Sequence, residues 1–170
     1  LSTNANINLL YNQSLKLQPK AVIIFNHEKF IKNKKKFLKR NIKVFNSLKS
    51  LKLSIIKKKI DYIMCAISGL DGLDSTIGSI NITKNIAIAN KESIICAWRI
   101  IKKKLKKNKT NFIPVDSEHF SIWSLLKNES INTVDKVFIT ASGGPFLNYK
   151  LYKLKHVKAK QAIKHPNWNM

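Results

Sequence analysis

A chain of 170 residues, 44% of them hydrophobic, can bury one sizeable core, which excludes a minimal disulfide-stapled module. Lys and Arg number 32 against 9 Asp and Glu, a formal charge of +23 that taken alone points to nucleic acid or an anionic membrane. The arginines, however, are only Arg40 and Arg99; the rest of the positive charge is lysine among many Asn and Ile residues, types that share A/T-rich codons. A biased genome explains this charge better than nucleic-acid recognition, which recruits arginine and interleaved aromatics.

Cys65 and Cys96 lie far apart inside apolar runs, as reduced core thiols do, and a reducing compartment follows. No apolar run approaches the roughly 18 residues of a membrane span, and Leu1-Ser2-Thr3-Asn4 lacks the regions of a signal peptide. The chain starts without Met and stops at Met170 with no tail-like composition, so a fragment cut at both ends is expected.

Along the chain, apolar β-rich runs alternate with longer lysine-rich segments of helical period, the mark of βαβ units around a parallel sheet. A helix is predicted from Asn6, its capping residue, to Pro19, then a strand over Ala21 to Phe25. Glu28 to Arg40 is a helix with Phe30, Ile31, Phe37 and Leu38 near one side and lysines on a solvated face. Ile42 to Phe45 is a strand, and Leu48 to Lys59 an amphipathic helix with Leu51, Ile55 and Ile56 inward. Asp61 to Ile67 is almost continuously apolar, which suits a strand buried on both faces. Ser68-Gly69-Leu70-Asp71-Gly72 ends it, either as a plain turn or as a close approach to a ligand at a strand's carboxyl end. Further strands are predicted at Ile86 to Ala89, Phe112 to Val115 and Val137 to Thr140, with a helix over Ile94 to Lys107 and a short one from Val157 to Lys164.

Each of the last three strands delivers polar groups. Asp116-Ser117-Glu118 offers two carboxylates that can converge on one hard cation such as Mg²⁺ or Mn²⁺, or else begins a helix, with Asp116 or Ser117 as cap and Glu118 favouring the dipole. His119, beside that start, is better read as a packed or hydrogen-bonding residue than as a ligand. After Asn90, Lys91 can hold a substrate oxygen or phosphate and Glu92 can accept from hydroxyls; alternatively Asn90 caps the next helix and the two charges are solvated. Ser142-Gly143-Gly144 presents a hydroxyl and unobstructed backbone N–H groups to an anion, or turns the chain before Pro145. His165 and Trp168 are parts of a loop that closes over a ligand and excludes water, or of an ordinary aromatic turn.

Taken together and in order, IAIANKESIICA, IPVDSEH, ITASGGPF and HPNWNM resemble successive signatures of the 1-deoxy-D-xylulose 5-phosphate reductoisomerases. The opening LSTNANINLLYNQSLKLQPKAVII and the AISGLDGL turn are similar to that family as well, so the resemblance spans essentially the whole chain. It implies an α/β fold: an incomplete Rossmann-like NADPH-binding domain over residues 1–115, then the start of an α+β catalytic domain over 116–170 that includes the beginning of the active-site lid. It also implies the family's reaction. With NADPH and Mg²⁺ or Mn²⁺, 1-deoxy-D-xylulose 5-phosphate is rearranged and reduced to 2-C-methyl-D-erythritol 4-phosphate in non-mevalonate isoprenoid biosynthesis.

By the same resemblance Asp116 and Glu118 match metal ligands, and Lys91, Ser117, Glu118, Ser142, His165 and Trp168 match substrate-contacting positions, Lys91, Asp116 and Glu118 being catalytic. Asn4, Ala5 and Asn6 match the turn near the adenosine 2′-phosphate, Asn90 and Glu92 match cofactor-side positions, and Met170 joins Trp168 in the mobile loop. Ala5 stands where many members carry a basic residue, and Phe120 to Ser124 departs from the usual pattern. The Gly-rich turn for the NADPH pyrophosphate and a third carboxylate ligand lie outside this segment, which is therefore expected to be inactive alone. The expected partner is a small sugar phosphate, with no nucleic acid and no membrane. A homodimer is expected at full length, in the cytoplasm of a bacterium or endosymbiont or in a plastid-type organelle.

Overall fold

The computed structural model describes residues 1–55, 57–139 and 144–164, in two compact units, Leu1–Asp116 and Ser117–Met170. The first unit is α/β with parallel strands throughout: β1 (Ser2–Thr3), α1 (Ile7–Leu17), β2 (Ala21–Ile24), α2 (His27–Leu38), β3 (Lys43–Phe45), α3 (Leu48–Ile55), β4 (Ile60–Cys65), α4 (Gly72–Ile80), β5 (Thr83–Ile88), α5 (Lys91–Asn108) and β6 (Asn111–Pro114). Instead of one sheet there are two of three strands each, ordered β1-β2-β3 and β4-β5-β6.

Three strand-to-helix turns use the same device. Asn6, Asn26 and Asn90 each follow a strand and cap the next helix, their side chains accepting from the N–H groups of Leu9 at 3.1 Å, Lys29 at 2.9 Å and Ser93 at 2.6 Å. Such caps satisfy a helix N–H that has no partner within the helix. At the other end of α1, Gln18 adopts the left-handed conformation and Pro19 follows, so the helix cannot continue.

Each sheet has its own core. Ile7, Leu10, Val22, Ile24, Phe37 and Ile42 join α1 and α2 to the first sheet. Ile80, Ile86, Ile88, Ala97, Ile101 and Leu105 join α4 and α5 to the second, with Cys65 among them. Between the sheets lies a cavity of about 530 Å³, lined by Leu1, Ser2 and Ile23 on one side and by Ile60, Ile63 and Met64 on the other. Edge strands β1 and β4 therefore face each other without forming a ladder.

Several sequence expectations change here. The 61–67 segment is not buried on both faces: Cys65 and Ile63 pack into the core with α4 and α5, while Tyr62 and Met64, pointing the other way, are exposed. In α2, Phe30 and Phe37 turn inward seven residues apart, whereas Ile31 and Leu38, one position on and about 100° around the helix, are exposed. Cys96 is exposed on α5 and is not a core thiol, since the inward positions there are Ser93, Ala97, Ile101 and Leu105. β1 and α4 are not legible in the sequence as elements; α4 begins at Gly72, the last residue of the turn that ends β4.

The second unit contains α6 (Ser117–Leu126), 3-10 turns over Ile131–Thr133, Gly144–Phe146 and Leu151–His156, and α7 (Ala159–Ala162). Val137, Phe138 and Ile139 form no strand, having no ladder partner among the described residues of this unit, and the predicted helix over Val157 to Lys164 shrinks to α7. No helix among the described residues is long and apolar enough to cross a membrane.

Candidate active-site rim at the carboxyl ends of the strands

In the second sheet Cys65, Ile88 and Pro114 are in register, so β4, β5 and β6 end along one line. Parallel strands make this a common rim, and open α/β sheets bind their ligands there. Motifs that lie 23 residues apart in the chain are tied together at it: the side-chain amide of Asn90 donates to the carbonyl of Gly69 at 2.7 Å and to that of Ile67. Asn90 is only 3% exposed, so its cap and both donations are protected from water. Gly72 is required beneath it, because a Cβ there would collide with the Asn90 amide and the Ile67 carbonyl. Gly69 at φ +71° occupies the left-handed region that the turn needs.

Lys91 and Glu92 occupy the first turn of α5, exposed beside this tie. Asn90 thus takes the capping role that the sequence offers as one of two readings of this motif. Two residues beyond β6, Asp116 is 8% exposed and closes the first unit. In the second unit Ser117 and Glu118 open α6, and the Ser117 hydroxyl donates to Glu118 Oε2 at 2.9 Å. Both line a cavity of about 170 Å³ with Ser121, Ile122, Phe138 and Ile139. The apolar segment expected to lead toward Ser142 therefore lies against Ser117 and Glu118. Ser142, His165, Trp168 and Met170 lie outside the described residues.

At the first sheet, Thr3 and Ile24 are in register, and the turn Asn4-Ala5-Asn6 follows directly. The Asn6 N–H donates to the Thr3 hydroxyl at 3.2 Å. Lys29, from the first turn of α2, donates through Nζ to the Ala5 carbonyl at 2.9 Å. A cavity of about 390 Å³ beside this turn is lined by Ala5, Asn6, Asn8, Glu28, Lys29 and Lys32. Lys32 is exposed, in keeping with the solvated face that the sequence predicts for this helix.

Asp116 and Glu118 are each hard carboxylates, the donor type that suits a cation such as Mg²⁺. No cluster of three or more His, Cys, Asp or Glu side chains suited to a metal occurs among the described residues.

Residues 1–98 match the sequence family of 1-deoxy-D-xylulose 5-phosphate reductoisomerase, and residues 112–170 match the C-terminal domain of the same enzyme. The chain belongs to this family. The reductoisomerase of Pelagibacter ubique is 53% identical over 171 residues, covering 100% of this chain and 44% of the relative. That of Bacteroides thetaiotaomicron is 38% identical over 170 residues, covering 100% of this chain and 44% of the relative. Among solved structures, the reductoisomerase from Zymomonas mobilis in complex with NADPH superposes with a TM-score of 0.78 at 28% identity, over 96% of this chain and 43% of that one. A reductoisomerase in complex with NADPH, fosmidomycin and magnesium gives 0.73 at 25% identity, over 100% of this chain and 44% of that one. The chain thus spans less than half the length of the reductoisomerases it matches, and its first unit shares their α/β fold with parallel strands.

Proposed function

We propose that this chain is part of a reductoisomerase that converts 1-deoxy-D-xylulose 5-phosphate to 2-C-methyl-D-erythritol 4-phosphate with NADPH and a divalent cation. In this reading the first unit binds NADPH and the second begins the catalytic domain and its lid. The observation that carries the reading is the rim of the second sheet, where the Asn90-Lys91-Glu92 motif and Asp116 follow adjacent strands whose ends are in register. Relatives solved with NADPH and with magnesium support the choice of both groups.

Asp116 and Glu118 would hold Mg²⁺ or Mn²⁺. When bound, the cation supplies Lewis acidity to the carbonyl and neighbouring hydroxyl oxygens of the sugar, and NADPH supplies the hydride. The chain's own groups orient the substrate. Lys91 is a compact cation at the rim that holds a substrate oxygen, and Ser117 adds a hydroxyl beside Glu118. Ser142 and His165 would grip the phosphate end, remote from the reacting carbons, and so fix their position. Asn90 and Glu92 face the cofactor, Asn4, Ala5 and Asn6 its adenosine end, and Trp168 with Met170 closes over both ligands to exclude water. The full-length enzyme would be a homodimer; the bacterial sources of the relatives favour a cytoplasmic location over a plastid.

The test is to express the full reading frame that carries this chain and to follow substrate-dependent NADPH oxidation with Mg²⁺ or Mn²⁺. Activity should be present and should fall by about 10²-fold or more in Asp116→Asn, since a ligand carboxylate is lost. A folded protein without that activity, or one indifferent to the substitution, defeats the proposal. In parallel, calorimetric titration with Mn²⁺ should show weaker binding to Glu118→Gln; equal affinity would contradict its ligand role.

A further inference from the structure

The side chain of Asn90 has no donor left for a ligand. An amide carries two N–H groups, and both are used, one on the Gly69 carbonyl at 2.7 Å and the other on that of Ile67. Its Oδ1 accepts from the Ser93 N–H at 2.6 Å, and the residue is 3% exposed. We infer that Asn90, together with the glycine turn it holds, is a positioning device for Lys91: it sets where that ammonium group meets the substrate, and what it offers the cofactor is backbone. The inference rests on the reading above in which Lys91 holds a substrate oxygen, and it names what places Lys91.

Three observations carry it. Lys91 is exposed, yet the residues that bracket it are buried: Asn90 precedes it, and the bond from the Ser93 N–H to Asn90 Oδ1 spans it. Its backbone is therefore fixed from both sides, and only its side-chain torsions stay free. Second, the tie joins the first turns of two helices, since Gly72 begins α4 and Lys91 begins α5, and Leu73 and Ile94 from those turns pack against one core. A displacement of the turn is thus passed to the start of α5. Third, the fit leaves no slack. A Cβ at position 72 would collide with the Asn90 amide nitrogen as well as the Ile67 carbonyl, and Gly69 at φ +71° aims its carbonyl at that amide from the left-handed region. Misplacing a substrate-orienting group by about 1 Å costs on the order of 10²-fold in rate, so the location of Lys91 matters as much as its charge.

The experiment is calorimetric titration of the full-length protein that carries this chain. 1-Deoxy-D-xylulose 5-phosphate is titrated with Mg²⁺ and saturating NADP⁺, which supplies no hydride, and NADPH is titrated separately. Asn90→Ser keeps an oxygen to cap the Ser93 N–H but has one O–H where the amide has two N–H groups, so it removes the tie and spares the cap. Asn90→Ser and Gly72→Ala should each weaken sugar-phosphate binding by about tenfold, the worth of a hydrogen bond to a charged group, and leave NADPH binding within about twofold of wild type. In a Lys91→Ala background the same two substitutions should change sugar-phosphate binding by less than about twofold, because groups that act through one another are not additive. Ile101→Val, which trims the core of the second sheet, should leave both affinities unchanged, and urea midpoints check that each variant is folded. The inference is overturned, with the proposed function intact, if Asn90→Ser binds the sugar phosphate as wild type does, if its loss persists in full after Lys91→Ala, or if it weakens NADPH instead, which would mark Asn90 as a direct cofactor contact. A wild-type protein that does not bind the sugar phosphate overturns the proposed function and the inference with it.

Discussion

Asn90 shows how one residue can serve chain geometry before chemistry. Its carbonyl oxygen caps α5 while its amide holds the Ile67 to Gly69 turn, so Asn90→Asp keeps the cap but sets a carboxylate against two carbonyls. That variant should lose about 2 kcal/mol, read as a lower urea midpoint, because a buried donor has been replaced by an unfavourable acceptor. Gly72→Ala should cost about 1–3 kcal/mol in the same assay by overpacking the same point. The cysteines make a second contrast. Burial pushes the Cys65 thiol up, only partly opposed by hydrogen bonds with Thr76 and Ser79, whereas Cys96 is exposed. Cys96 should therefore react promptly with a disulfide reagent at neutral pH and Cys65 only as the protein unfolds. The sign of the linkage follows: folding favours the neutral Cys65 thiol, so its contribution is complete below the unfolded-state pKa and is lost as pH rises through the folded one. Melting temperature should decline on the alkaline side, and less steeply in Cys65→Val.

At the level of elements, hydrophobic period made α1, α2 and α5 readable, with Asn6 marking the start of the first, and their starts agree with the sequence to within a few residues. What failed depended on neighbours. The 61–67 run has the composition of a strand with both faces covered, yet Tyr62 is 52% and Met64 47% exposed, which identifies apolar surface on an edge strand rather than a solvated face. Met64→Lys should consequently have little effect on the melting temperature in circular dichroism; a loss of more than about 1 kcal/mol would show that the side chain is packed. The 137–139 segment is strand-like in composition too, but without a ladder partner among the described residues of its unit it forms none, because a strand's backbone groups need another strand to satisfy them.

For the whole molecule, net charge is the feature most open to misreading. Exposed lysines occur on α1, α2, α3 and α5 alike. Filter binding to duplex DNA should be weak at physiological salt; strong binding with a steep salt slope would reopen the nucleic-acid reading. By itself the sequence determined the α/β class, the starts of α1, α2 and α5 and the order of the motifs, because capping, hydrophobic period and strand composition are local properties. Only the tertiary structure decided that Ile67 to Gly72 and Asn90 form one hydrogen-bonded tie, that Lys29 is anchored on Ala5, and that the strands divide into two sheets facing across a cavity. Those outcomes depend on which strand edges pair and which helix ends meet, and contacts between segments about 20 residues or more apart leave no periodic trace along the chain.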